Sequence, residues 1–246
     1  AYADRDLLVA DSDFVAVPIE ALLDPAYLGD RSMLIDPSVS MGIAQPGLTA
    51  DDRAAFDDDS NLGFSTSHIS IVDMEGNAVS MTTSIERGFG SRLMAGGFML
   101  NNELTDFSFE AQADGLPIAN RVEAGKRPRS SMAPTLVLDQ DGNLVMAIGT
   151  VGGSRIICYV AKTLIARLDW GLDIQAAIEL PHFLNRNGAT ELEDGTALVD
   201  LVPALEAMGH EVKLGTMDTG LAGFFIEGGT ITGGADPRRE GTALGR

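Results

Sequence analysis

The residues best suited to chemistry begin with Ser65-Thr66-Ser67-His68-Ile69-Ser70-Ile71-Val72-Asp73. A small hydroxyl cluster here opens a short alternating apolar run. A threonine between loose sequence and a buried strand can be freed as an N-terminus. Its α-amine would then stand beside its hydroxyl as a built-in general base. The same residue also reads as an ordinary strand-start threonine, and this stretch alone does not separate the two.

Four further clusters follow. Ser80-Met81-Thr82-Thr83-Ser84-Ile85-Glu86 is rich in hydroxyls, which most simply pack a strand. In Asn101-Asn102-Glu103-Leu104-Thr105-Asp106-Phe107 two carboxylates three residues apart can hold an ammonium group, with two neighbouring amides to orient them. An ordinary polar turn would look the same. Lys126-Arg127-Pro128-Arg129-Ser130-Ser131-Met132-Ala133-Pro134 sets paired hydroxyls beside basic residues, a composition that suits a carboxylate and also a surface loop. Gly149-Thr150-Val151-Gly152-Gly153-Ser154-Arg155 lies directly before a helical pattern. Glycines there expose backbone N–H groups at the positive end of the helix dipole. That suits an oxyanion hole, a phosphate or a plain tight turn.

These clusters need elements to position them. Residues 14–29 read as a short helix entered through Pro18 and stopped by Gly29, with Pro25 a kink or break. From about 31 to 65 the pattern fades, and five Asp fall between 51 and 59. This predicts an exposed, mobile linker. Strands at 67–73 and 77–84 flank one Gly-containing turn, and strands at 132–138 and 144–150 flank a second. Residues 154–170 show helical spacing, with Ile157, Val160, Ala161, Leu164, Ile165 and Leu168 on one face. Further helices are expected at 173–180 and 201–208. Short strands are expected near 182–185, 197–199, 211–214, 222–227 and 230–233. Strands, then helices, then strands again predict an α+β layered sandwich rather than alternating βαβ units.

Composition bounds the function. The chain has 246 residues, 45% of them hydrophobic, with 28 Gly and 10 Pro, as in a turn-rich globular protein. Seventeen basic against 36 acidic residues give a net charge of −19, which argues against nucleic acid and anionic membranes as partners. Cys158 is the single cysteine, so no intrachain disulfide can form and the redox compartment stays open. No apolar run approaches a membrane span. The opening Ala-Tyr-Ala-Asp-Arg-Asp lacks the basic-then-apolar order of a signal peptide. His68, His182 and His210 are widely spaced, so no metal site is expected. No G-x-S-x-G elbow and no phosphate-binding loop motif occurs.

Five blocks in order carry a resemblance. They are Thr-Ser-His-x-Ser-x-Val-Asp from Thr66, Gly-Asn-Ala-Val-Ser from Gly76 and Leu-Asn-Asn-Glu-x-x-Asp-Phe from Leu100. Lys-Arg-Pro-x-Ser-Ser-Met-x-Pro from Lys126 and Gly-Gly-Ser-Arg from Gly152 complete the set. The sequence resembles the gamma-glutamyltranspeptidase family from Thr66 through Arg155, and more weakly over the tail Gly234-Ala235-Asp236-Pro237-Arg238-Arg239. Residues 1–65 look like the end of that family's large subunit, and residues 66–246 like its small subunit.

The resemblance implies an αββα four-layer sandwich of the N-terminal-nucleophile hydrolase type. It implies a precursor that cuts itself between Ser65 and Thr66, leaving pieces of 65 and 181 residues. Thr66 would then attack γ-glutamyl compounds such as glutathione and pass the acyl group to water, an amino acid or a dipeptide. Gly152 and Gly153 match the oxyanion donors, and Ser84 the hydroxyl that orients the nucleophile. Ser130 and Ser131 match the α-carboxylate site. Asp106, with Glu103 and Asn102, matches the α-ammonium site. No cofactor is implied. The implied partner is the large subunit of the same precursor, with higher oligomers left open. Family analogy points to the periplasm or secretion, and a cytoplasmic location stays open.

Three departures stand out. Ser84 replaces the family's threonine and keeps its hydroxyl. Glu86 replaces an asparagine and adds a negative charge beside the substrate, which weakens anion binding unless it points away, is protonated or is paired. The segment from Phe107 to Lys126 is short, which predicts an open pocket without a lid. The arginine that grips the substrate carboxylate belongs, by resemblance, to the large subunit and lies outside this chain. A related amidase acting on another acyl group, such as glutaryl on a cephalosporin, is the alternative reading; an unprocessed, non-catalytic fragment is a third.

Overall fold

The computed structural model describes residues 1–55 and 65–245. The expected linker over 56–64 lies outside the described residues.

The hairpin β1 (Thr66–Val72) and β2 (Ala78–Ser84) pairs Thr66 with Ser84, His68 with Thr82 and Ser70 with Ser80. Its turn, Asp73-Met74-Glu75-Gly76-Asn77, has the same Asp-x-x-Gly-Asn pattern as Asp139-Gln140-Asp141-Gly142-Asn143. In each, the leading Asp accepts from backbone N–H groups two and four residues on, and the glycine takes positive φ. The second turn joins β7 (Thr135–Leu138) to β8 (Leu144–Gly149). Small hairpins of β3 (Met94–Ala95) with β4 (Phe98–Met99) and β5 (Gln112–Ala113) with β6 (Leu116–Pro117) lie between.

β7 and β8 extend to β12 (Ala222–Glu227) and β13 (Thr230–Ala235) in a four-stranded antiparallel sheet ordered β13-β12-β8-β7. The β1–β2 hairpin lies across this sheet. Ser70 Oγ donates to Ala222 O at 3.2 Å and Ser80 Oγ to Ile148 O at 3.2 Å. The His68 ring sits against Gly149, where any Cβ would run into the imidazole. On the opposite face lie α4 (Ile156–Leu168) and α5 (Ile174–Glu179). Met146, Ile148, Ile156, Val160, Ile174, Ile178 and Leu221 form one buried cluster between helices and sheet. Burial of such side chains stabilises by roughly 1.5–3 kcal/mol each. A third sheet, β9 (Phe183–Asn185), β10 (Thr190–Glu193) and β11 (Val212–Gly215), has one parallel pair, with α6 (Val202–Ala207) crossing between β10 and β11.

The α+β reading holds, and the described residues form three layers: helices, sheet, hairpin. The two faces of the hairpin differ in character. Thr66, His68, Ser70, Ser80, Thr82 and Ser84 share the face toward the sheet. Ile69, Ile71, Val79 and Met81 point away and are 41%, 55%, 50% and 45% exposed.

Local expectations need correction in several places. On α4 the buried residues are Ile156, Tyr159, Val160, Lys162, Thr163 and Ala166, whereas Ala161, Ile165 and Leu168 of the expected face are exposed. The helix over 14–29 breaks at Pro25, one of the two outcomes expected there, into α2 (Ile19–Leu22) and α3 (Pro25–Ser32), split where Asp24 caps α3 by accepting from Ala26 and Tyr27 N–H. Gly29 does not stop α3, which runs on to Ser32. Residues 197–199 are a 3₁₀ turn, Ala197–Leu201, rather than a strand, because Thr196 caps Leu198 N–H. Residues 33–55 contain no helix or strand, as expected of a linker, yet are tied down. Ser40 N–H donates to Met208 O, Asn187 brackets Ala44 with two hydrogen bonds, and Ala54 bridges to Ile118.

The short strands β3 to β6 and β10 were not expected, nor was α1 (Tyr2–Leu8), with Tyr2, Ala3, Asp4, Asp6, Leu7 and Leu8 buried. A helix buried on all sides has no apolar stripe to reveal it.

Candidate active site

The hairpin's polar face ends at Thr66. Its Oγ1 lies 2.9 Å from Ser84 Oγ, the residue paired with it across the strands, and the residue is 7% exposed. Glu86 N–H donates to Ser84 Oγ at 2.8 Å. Ser84 Oγ keeps a second lone pair and its proton, so either hydroxyl can donate in the contact with Thr66. The Ser65 carbonyl accepts from Ile85 N–H at 3.3 Å, so the bond preceding Thr66 is held in the same ladder.

A cleft opens here, lined by Thr66, Ser84, Glu86, Glu103, Asp106, Ser130, Ser131 and Gly153, with Arg5, Arg129 and Ser154 beside them. Five regions of the chain meet in it: Arg5, the β1–β2 hairpin, 103–106, 129–132 and 153–156. No residue of 107–125 lines it.

One end of the cleft is acidic. Glu103 and Asp106 sit on a 3₁₀ turn, Glu103–Asp106, rather than at a strand end. Asn120 Nδ2 donates to the Asp106 carbonyl at 2.7 Å and fixes that turn. Glu103 Oε1 is buried without a hydrogen-bond partner among the described residues. Asn102 reaches the cleft indirectly: its Nδ2 donates to Glu86 Oε2, and its Oδ1 accepts from Arg87 N–H at 3.1 Å. Glu86 is therefore paired, with Arg87 Nε a further 3.6 Å from the same oxygen. It holds a left-handed backbone, φ 70°, strained for a residue other than glycine.

The other end is built of hydroxyls and guanidinium groups. Ser130 Oγ accepts from Met132 N–H at 3.1 Å. Ser131 Oγ accepts from Arg5 Nη2 at 2.6 Å. Both serines keep an O–H free to donate. Arg5 is the residue that sequence reasoning missed. No periodicity marked it; the only signal was a run of charges, Asp4-Arg5-Asp6, in a segment otherwise Tyr, Ala and Leu.

The glycine pair closes the site. Gly153 starts a 3₁₀ turn, Gly153–Arg155, that runs into α4. Gly152 has φ 129°, and a Cβ there would lie 2.8 Å from Asp218 O and from Tyr159 Cε2. Gly152 lies next to the cleft-lining Gly153. The tail motif holds this turn through its neighbours. Arg239 binds Asp218 at 2.7 Å, Arg238 binds Glu193 at 2.6 and 2.8 Å, and Asp236 N–H donates to Leu221 O at 2.8 Å. Thr150 Oγ1 in turn accepts from Gly220 N–H at 3.0 Å.

The histidines are structural. His68 bonds Thr82 Oγ1 at 2.8 Å and Ser70 Oγ at 3.0 Å, and burial pushes its pKa down to about 4. His182 is fully buried against the Tyr159 ring, and desolvation, then nearby Lys162 and Arg238, drive its pKa far down. Cys158 is half-buried beside Tyr2 Oη at 3.5 Å, and burial raises its pKa. It is therefore a poor nucleophile. Among the described residues no group of three or more His, Cys, Asp or Glu could hold a metal ion, and no helix is long and apolar enough to cross a membrane.

A family model described as Gamma-glutamyltranspeptidase matches residues 1–246. The glutathione hydrolase proenzyme of Bacillus subtilis (strain 168) is 35% identical over 259 residues, covering 100% of this chain and 43% of that protein. A solved acivicin-inhibited gamma-glutamyltranspeptidase superposes with a TM-score of 0.63 at 32% identity, covering 70% of this chain and 98% of that one. Cephalosporin acylase from Bacillus halodurans shares the fold over 98% of this chain and 42% of its own, with a TM-score of 0.79 at 22% identity. The architecture is thus an α+β fold shared with gamma-glutamyltranspeptidases and this acylase. Within it, the chain belongs to the gamma-glutamyltranspeptidase family. It spans less than half the length of the curated relative it matches.

Proposed function

We propose that the protein carrying this chain is a self-processing threonine-nucleophile enzyme. It cleaves γ-glutamyl amides such as glutathione and transfers the γ-glutamyl group to water, amino acids or dipeptides. The observation that carries this reading is the polarity of the cleft. The hydroxyl pair Thr66–Ser84 stands between an acidic end, Glu103 and Asp106, and an end of donors, Ser130 and Ser131 with Arg5. An acyl group ending in an α-ammonium and an α-carboxylate is complementary to both ends. A glutaryl group would leave the acidic end without a cation, which disfavours the acylase alternative.

Processing comes first. Thr66 Oγ1 attacks the Ser65 carbonyl carbon, and the Ser65–Thr66 C–N bond breaks as the nitrogen gains a proton. Water then hydrolyses the resulting ester, leaving a Ser65 carboxylate and a free Thr66 amine. That amine, directly or through a water, takes the Thr66 hydroxyl proton as the γ-carbonyl is attacked. Gly152 and Gly153 offer backbone N–H groups to the tetrahedral oxyanion. The leaving amine takes the proton, and a second nucleophile releases the acyl group. Residues 1–65 are the end of the large subunit and 66–246 the small subunit. The rest of the large subunit supplies the fourth, helical layer over the open face of β1–β2.

The test uses the precursor at full length. Purified protein should contain a fragment beginning Thr-Ser-His-Ile-Ser and should release p-nitroaniline from γ-glutamyl-p-nitroanilide. Thr66→Ala should abolish both. A processed enzyme with no such turnover would sink the reading.

A further inference from the structure

We infer that Arg5 is a positioning and specificity-determining residue that acts through Ser131 to select acyl donors carrying a carboxylate. The inference rests on the γ-glutamyl reading and names the part of this chain that senses the α-carboxylate.

The geometry starts from hydrogen-bond direction. A guanidinium only donates, so in the 2.6 Å contact between Arg5 Nη2 and Ser131 Oγ the serine is the acceptor. The Ser131 proton is thereby committed to another partner, on the side where the cleft lies. Without Arg5 the hydroxyl could rotate and present a lone pair instead, which repels an anion. Arg5 also brings a positive charge into a largely enclosed setting. Its side chain is 13% exposed, so the charge is weakly screened. Its other nitrogen, Nη1, lies 3.3 Å from Asp6 Oδ1, which orients the fork and leaves the contact to Ser131 on the opposite arm.

Neighbouring groups hold Arg5 and its helix in place. Arg129 Nη1 donates to the Arg5 carbonyl at 2.9 Å, and Arg129 Nη2 lies 3.2 Å from Asp6 Oδ1. Tyr2 Oη donates to Ser154 O at 2.7 Å, pinning α1 to the turn that follows the glycine pair. Every one of these ties crosses position 65. After processing, Arg5 would sit on one polypeptide and Ser131 on the other, so the carboxylate end of the cleft is assembled from both.

The experiment compares two anilides on the full-length processed enzyme: γ-glutamyl-p-nitroanilide and 4-aminobutyryl-p-nitroanilide, which keeps the ammonium and lacks the carboxylate. The quantity read is the ratio of their kcat/KM values. Arg5→Met should shrink the preference for the γ-glutamyl compound roughly tenfold or more, the scale of one lost charge-assisted contact, chiefly through KM. Arg5→Lys should restore part of the preference, since it returns the charge without the fork. In a Ser131→Ala background the Arg5→Lys effect on the ratio should be smaller, because the two residues act as one unit. A merely structural role lowers both activities together and leaves the ratio unchanged, which overturns the inference. Full additivity of Arg5→Lys and Ser131→Ala overturns it equally. A wild-type enzyme inactive on both anilides refutes the γ-glutamyl reading itself, and the Arg5 assignment falls with it.

Discussion

At the residue scale, the polar face of the β1–β2 hairpin does two jobs. Thr66 and Ser84 line the cleft, while His68, one pleat further in, packs between the sheets. His68 stays neutral well below the ordinary histidine range because its ring is desolvated. Its folded pKa, about 4, lies below the unfolded value near 6.5. The unfolded chain therefore binds a proton first as the pH falls. Stability contributed by neutral His68 is complete above about pH 6.5 and is lost as the pH drops toward 4, with a limiting slope of about 1.4 kcal/mol per pH unit. His182 is shifted the same way and adds to the loss. Thermal unfolding followed from pH 7 to pH 4 should show Tm falling, and His68→Gln should flatten part of that fall. An unchanged slope in the variant would mean that His68 is already charged in the folded state. Chemistry at this scale was legible in the sequence where residues came in local blocks: Thr66, Ser84, Glu103, Asp106, Ser130, Ser131 and Gly153 all line one cleft. Arg5 was not legible, because its contact with Ser131 spans 126 positions and follows from no local pattern.

At the element scale, the turn ahead of α4 is fixed by what surrounds it. Gly152 combines a φ of 129° with close approach to Asp218 O and the Tyr159 ring, so no side chain fits without moving one of them. Gly152→Ala should destabilise the protein by roughly 1–3 kcal/mol. It should also displace the Gly153 N–H and lower kcat by roughly 10²-fold, the scale of a lost oxyanion donor. Denaturant titration and steady-state kinetics on the processed enzyme measure the two effects separately; a variant with full kcat would remove this turn from the chemistry. The sequence made the turn visible through its glycines and the helix that follows. It did not reveal why the tail matters. Arg239 binds Asp218, whose carbonyl lies against Gly152, and Asp236 N–H binds Leu221 O next to Gly220, which donates to Thr150. Hairpins were the most legible elements, since each Asp-x-x-Gly-Asn turn states its own geometry. The break at Pro25 was legible, since Pro suits a first helical turn as well as it breaks an interior; Gly29 was misread as the stop, because α3 runs on to Ser32.

At the scale of the whole molecule, the hairpin is inside out for a protein of this length alone. Its polar residues face the four-stranded sheet, and Ile69, Ile71, Val79 and Met81 face away with about half of their surface exposed. Hairpins with one face in solvent usually show the reverse alternation. A one-residue slip would turn the apolar residues inward, yet it would also carry Thr66 and Ser84 out of the cleft, so chemistry and burial are set against each other in this register. A cover over the outer face resolves that conflict, and the remaining large subunit is the cover proposed above. The α+β class was legible from element order. Which face of the hairpin turns inward was not, because alternation shows only that two faces differ. Replacing Ile71 and Val79 by Lys tests the cover directly. In the full-length precursor the pair should cost about 3–6 kcal/mol, from two buried aliphatic side chains at roughly 1.5–3 kcal/mol each, and should lower the yield of processed enzyme. In the isolated chain the same pair should reduce binding of a hydrophobic dye and self-association, since it removes an exposed apolar stripe. A full-length protein that tolerates both lysines without loss of stability would show that this face stays open, and the fourth layer would have to lie elsewhere.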